Sequence, residues 1–112
     1  MAENKQYITQ IQENGSVMIS DQVLVNIISH AVGEVEDVVL SGKPGKNWGK
    51  GIKVTIAEDD KVEVKVYINV SYNHSVTAAA SAVQESIRTA LESMTGVVVS
   101  AVNVDVVGIV RQ

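Results

Sequence analysis

The chain has no cysteine and no phenylalanine, and it has only one proline, one tryptophan and two histidines. Without cysteine it forms neither disulfide bonds nor thiolate zinc sites, and it offers no cysteine nucleophile. No uncharged apolar run approaches the ~20 residues of a transmembrane helix, and the opening MAENKQYITQ lacks the apolar core of a signal peptide. We therefore expect a cytoplasmic protein that does not insert directly into a membrane.

Composition then indicates a single domain with a strand-rich core. Hydrophobic residues make up 46% of the 112 positions, and the formal net charge of −4 argues against a general nucleic-acid binder. Valine (22) and isoleucine (10) far outnumber leucine (3). Because β-branched side chains suit a pleated surface, this bias predicts a sheet covered by helices with small side chains, and it lowers the expectation of a deep ligand pocket.

Apolar residues at three- and four-residue spacing predict two helices. The first begins after Ser20, whose hydroxyl is placed to cap it, and the second begins after a cap at Asn73 or Ser75 and runs to about Met94. Gly96 then ends the second helix. Each helix has one apolar stripe, so both are expected to cover the same face of a sheet.

Alternating apolar and polar residues predict the strands, most clearly over residues 61–70. The polar residues 1–14 are interpreted as a flexible N-terminal arm, and residues 15–112 as one domain. The expected fold class is α+β, with two helices packed on one face of a mixed, mostly antiparallel sheet of four to five strands.

Residues 42–53 form the one break in composition, with four of the eight glycines and the only proline and tryptophan. Lysine side chains and glycine N–H groups together can hold an anion, although Gly51 stands where a phosphate-binding P-loop would have Ser or Thr. Three interpretations stay open: a solvated loop, a protein contact anchored on Trp48, and RNA or anion binding through the lysines. The lysines of this segment are Lys43, Lys46, Lys50 and Lys53.

The outward face of the predicted hairpin is polar but carries an aromatic residue. Lys65 and Tyr67 lie on it, so it is either a solvated sheet face or a platform for a protein partner. Val107, Ile109 and Val110 break the alternation near the C-terminus. They are candidates for strand addition to another chain and hence for self-association.

The sequence contains no convincing catalytic, metal or cofactor site. His30 and His74 lie on different elements without acidic or thiol partners at ligand spacing. The carboxylate clusters at residues 34–37 and 58–60 have neither calcium-loop spacing nor an acid–base arrangement. We therefore expect no cofactor and no enzymatic activity.

A set of motifs in a fixed order resembles a known family. The resemblance covers about residues 14–110. It is carried by the motifs Gly15-Ser-Val-Met-Ile-Ser, Val23-Leu24 through Ala31, Glu34-Val35, the Lys/Gly segment, Gly51-Ile-Lys-Val, Val62-Glu-Val-Lys-Val-Tyr-Ile-Asn-Val-Ser-Tyr, Val83-Gln through Met94-Thr-Gly, and Val102-Asn-Val-Asp-Val. Together they are similar to the alkaline shock protein family of envelope stress response proteins from Gram-positive bacteria.

This resemblance implies a non-enzymatic cytoplasmic adaptor or scaffold in the envelope stress response or in envelope and lipid homeostasis. It implies a protein partner, either a membrane-anchored protein that would bring the chain to the membrane or a fatty-acid-synthesis enzyme. The family has no established catalytic motif to carry over. The residues expected to contact a partner are Trp48, Lys43, Lys46, Lys50, Lys65 and Tyr67.

Overall fold

The computed structural model describes residues 6–41, 51–72 and 75–110. Within them the chain forms six strands and two helices in the order ββαβββαβ. The elements are β1 (Tyr7–Gln12), β2 (Gly15–Ser20), α1 (Asp21–Gly33), β3 (Val38–Leu40), β4 (Ile52–Ile56), β5 (Lys61–Ser71), α2 (Val76–Thr95) and β6 (Val98–Val110). The predicted α+β class is confirmed.

Strand β5 organises a four-stranded mixed sheet, because every other strand of that sheet pairs with it. Strands β3 and β4 pair with it antiparallel, and β6 pairs with it in parallel along its whole length. A strand has only two hydrogen-bonding edges, so β3 and β4 share the edge opposite β6 and lie end to end. The sheet is therefore mixed and mostly antiparallel, as the alternation predicted.

The core lies between one face of this sheet and the two helices. The alternating residues of β5 that point to this face are completely buried, namely Val62, Val64, Val66, Ile68 and Val70. They join Leu24 and Ile28 of α1 and Ile87 and Leu91 of α2 in one hydrophobic cluster. Both helices thus cover the same face, as their single apolar stripes predicted.

Strands β1 and β2 form a separate antiparallel hairpin, so residues 7–12 of the predicted flexible arm are a strand, whereas residues 1–5 of that arm lie outside the described residues. Ile8 is only 3% exposed and belongs to the core cluster. The Gln10 side chain donates a 2.7 Å hydrogen bond to the Thr95 carbonyl at the end of α2. The sequence does not reveal this strand, because its inner face is held by a single buried isoleucine and one long-range hydrogen bond rather than by a pattern of apolar residues.

Strand β6 is an edge of the sheet, and α2 caps part of it. Gln84 and Arg88 donate from their side chains to the backbone carbonyls of Val102 and Val99, at 2.9 and 3.0 Å. The pairing of β6 with β5 also shifts register twice, which leaves Ser100 and Val107 without a partner residue. Bulges and side-chain caps of this kind interrupt a strand edge that would otherwise pair with another chain.

The two helix N-termini differ in a way that gives a matched test. Ser75 accepts a 3.2 Å hydrogen bond from the Ala78 N–H, whereas the Ser20 side chain makes no capping hydrogen bond. We expect Ser75→Ala to lower the free energy of unfolding by about 1 kcal/mol, and Ser20→Ala to lower it by about half of that or less. Urea denaturation of both variants measures the difference, and equal losses would contradict the assigned caps.

Candidate functional site

Metal-binding clusters are absent from the described ranges 6–41, 51–72 and 75–110. No group of three His, Cys, Asp or Glu side chains there is arranged to hold a metal ion. His30 Nε2 lies 3.2 Å from Glu34 Oε2, one helical turn away, and both side chains are exposed. His74 lies outside the described residues. The candidate sites described below are therefore surfaces rather than metal centres.

The residues expected to contact a partner divide into two groups. Lys43, Lys46, Trp48 and Lys50 lie outside the described residues, so their roles stay predictions. Lys65 and Tyr67 both lie on β5, on the sheet face opposite the helices. Lys65 is partly exposed, whereas Tyr67 is only 3% exposed.

The position of Tyr67 corrects the interpretation of this face as one that displays an aromatic side chain. Its backbone lies where β3 ends and β4 begins: Ser41 N–H donates to the Tyr67 carbonyl at 2.7 Å, and Tyr67 N–H donates to the Gly51 carbonyl at 2.9 Å. Ser41 and Gly51, which flank residues 42–50, are thus both hydrogen-bonded to the backbone of Tyr67. The alternation along β5 predicts on which face of the sheet the Tyr67 side chain lies, but it does not predict whether that side chain is buried there.

Neighbouring side chains on the same face satisfy one another. Lys65 Nζ lies 3.6 Å from Asp105 Oδ2 and 5.6 Å from the centre of the Tyr67 ring. The Asp105 carboxylate, with a smaller contribution from Tyr67, raises the pKa of Lys65 above its ordinary value. Asn103 donates a 3.0 Å hydrogen bond to Glu63. These charged and polar groups therefore already pair within the chain.

A concave surface of the described chain lies between α1 and α2, and we call it the helix groove. Its volume is about 790 Å³. The lining residues are Asn26, Ile27, His30, Ala31, Glu34, Ala82, Glu85, Ser86, Thr89, Ala90, Ser93 and Met94. They recur at three- and four-residue intervals on each helix, so one strip of α1 and one strip of α2 form the two walls.

Small side chains make the floor of the helix groove, and one hydrogen bond fixes its width. Ser86 Oγ donates to the Ala31 carbonyl at 3.0 Å, which holds α2 against α1. Alanines contribute most of the remaining floor, and Met94 stands at one end with 68% of its surface exposed. The groove thus offers apolar surface that no part of the described chain covers, which is typical of a binding surface.

The charges around the helix groove are of one sign. Glu34 and Glu85 line it, and His30 is held beside Glu34. No lysine or arginine is among its lining residues. This surface was not predicted from the sequence, because alanine and serine carry no chemical signal and the groove exists only once the two helices are side by side.

None of the helices in the described part of the chain is long and apolar enough to span a bilayer.

Comparison with known proteins gives a family match over most of the chain. The model of the alkaline shock protein 23 family, described as having a cell envelope-related function, matches residues 9–111. The uncharacterized protein YqhY of Bacillus subtilis (strain 168) is 35% identical over 105 residues, which cover 85% of this chain and 77% of that relative. The uncharacterized protein Spy1535 of Streptococcus pyogenes serotype M6 is 30% identical over 105 residues, which cover 88% of this chain and 81% of the relative. No solved structure matches the chain at a significant level.

Proposed function

This chain belongs to the alkaline shock protein family, and on that premise we propose that it is a non-enzymatic adaptor or scaffold that acts through protein–protein contacts. The function described for the family is cell envelope-related. An adaptor needs a surface that binds a partner and no chemistry of its own. Its partner is either a membrane-anchored protein, which would bring the chain to the inner face of the membrane, or a fatty-acid-synthesis enzyme.

The helix groove is the observation that carries this proposal. Its floor is apolar and open to solvent, and its rim is polar, which is the usual anatomy of a surface that another molecule covers. The sheet face around Lys65 supports the proposal less, because its charged groups already pair with one another. We therefore place the partner contact on the helical layer of the molecule rather than on the sheet.

Site-specific photocrosslinking in the native cells tests the proposal. A photoreactive amino acid replaces Ala82, which is exposed and lines the helix groove, or Ala57, another exposed alanine, between β4 and β5. We expect a discrete protein adduct from Ala82 that is absent from Ala57, because only the first position lies under a bound partner. Gel electrophoresis followed by mass spectrometry of the membrane and soluble fractions identifies the adduct.

Two results would contradict the adaptor function. Identical adducts from Ala82 and Ala57, or none from either, would mean that no partner covers the helix groove. Adducts that disappear on nuclease treatment would instead favour the RNA-binding interpretation of the segment that contains Lys43, Lys46 and Lys50. A photoreactive residue at Trp48 extends the same experiment to that segment, where a protein adduct would support the expected role of Trp48.

A further inference from the structure

We propose that the helix groove binds an amphipathic α-helix of a partner protein, with lysine or arginine on both sides of its apolar stripe. This inference rests on the proposed adaptor function and specifies the structural class of the partner. Three properties of the groove lead to it: the kind of atoms that line it, its length together with the size of its side chains, and its charge.

The lining atoms favour a helix over an extended peptide. The walls are side chains of α1 and α2, whose backbone groups are bonded within the helices. An extended peptide would bury its own N–H and C=O groups there without partners, which costs free energy for each group. A helix satisfies its backbone internally and presents only side chains, so it suits a surface of this kind.

The dimensions agree with a helix of about three turns. The groove follows α2 from Ala82 to Met94, which at ~1.5 Å per residue is about 18 Å. Alanine and serine on its floor allow a third helix to come close to both walls, since the distance between packed helices depends on the side chains at the contact. The bound helix would contact α1 and α2 together.

The charge decides which helix fits and which other occupants do not. Glu34 and Glu85 attract lysine or arginine placed beside the apolar stripe of the partner. A second copy of this chain related by a two-fold axis would bring the same acidic residues together, and the net charge of −4 on each copy adds to this repulsion. A fatty acid would place its carboxylate among the same glutamates.

Designed peptides test the inference on the full chain. The probe is an 18-residue fluorescent peptide, capped at both ends, with leucine and alanine at positions i, i+3, i+4 and i+7 and lysine on both flanks. A matched peptide carries glutamate in place of every lysine. We expect the lysine peptide to bind at least about tenfold more tightly than the glutamate peptide by fluorescence anisotropy. Its amide chemical-shift changes should lie in residues 26–34 and 82–94.

Charge-reversed variants locate the contact. Glu85→Lys should weaken binding of the lysine peptide about tenfold, because it replaces an attraction at the rim with a repulsion. Glu13→Lys changes the chain by the same charge at an exposed position in the turn between β1 and β2, and it should leave binding within about twofold. Circular dichroism of both variants confirms that they are folded.

Several outcomes would overturn the inference. Equal binding of the two peptides, equal losses in the two variants, or shift changes outside the helix groove would each remove the basic helix as its occupant. A shift of the free protein from dimer to monomer on Ala82→Arg would assign the groove to a second copy instead. Absence of peptide binding together with a protein adduct at Ala82 would leave the adaptor function intact and reject only the helical partner.

Discussion

Replacing Ile87 by alanine should lower the free energy of unfolding by about 3 kcal/mol. Ile87 is completely buried in the middle of α2, where it packs into the cluster formed by both helices and the sheet. The loss combines the transfer free energy of the removed carbons with the cost of the cavity that remains. For a domain of this size the melting temperature should fall by roughly 10 °C or more.

Ile11→Ala is the matched control because it removes the same atoms from a side chain that is 82% exposed on β1. Its effect should stay within about 0.5 kcal/mol. Chemical denaturation of the two variants, followed by circular dichroism, compares them directly. Similar losses in both would mean that α2 does not bury its apolar stripe against the sheet as described.

Tyr67→Ala should cost about 3 kcal/mol of unfolding free energy, because this side chain is buried although it lies on the sheet face opposite the helices. Tyr67→Phe retains the ring and should cost about 1 kcal/mol or less. Tyr7→Ala removes a tyrosine ring that is half exposed and should cost clearly less than Tyr67→Ala. Thermal and urea denaturation of the three variants provide the measurement.

The same variants separate two roles for Tyr67. If Tyr67 were an exposed contact residue, Tyr67→Ala would reduce partner binding and leave the free energy of unfolding unchanged. Because Tyr67 is buried in the structure, Tyr67→Ala should instead lower the free energy of unfolding. Unchanged unfolding of Tyr67→Ala would therefore contradict the structure at this position and restore the interpretation of an aromatic platform.

The sequence predicts the elements whose signals are local. The second helix is bounded by Ser75, whose hydroxyl caps its start, and by Gly96, whose left-handed φ of 73° ends it. The alternation along β5 correctly assigns the five buried residues that face the helices, although Tyr67 and Ser71 are buried as well. Such signals depend on neighbours within one turn or one strand, so these elements can be predicted without knowing the distant contacts of the chain.

Features that depend on distant contacts could not be predicted in this way. Strand β1 is held by Ile8 and by the bond from Gln10 to Thr95, and neither is visible as a pattern in a polar segment. The burial of Tyr67 depends on what lies over one sheet face. The helix groove arises from two helices that Ser86 links to Ala31, and its small side chains are also those of an ordinary helix surface.

The capped edge of β6 has a consequence for how much of this protein a cell can accumulate. Only residues 101–106 run between the two register shifts, and one carbonyl in that stretch is already bonded to Gln84. A short, interrupted edge gives neighbouring molecules little template for the growing sheets that cause aggregation. The arrangement therefore favours solubility at high protein concentration, and the same helix that forms one wall of the helix groove supplies the protection.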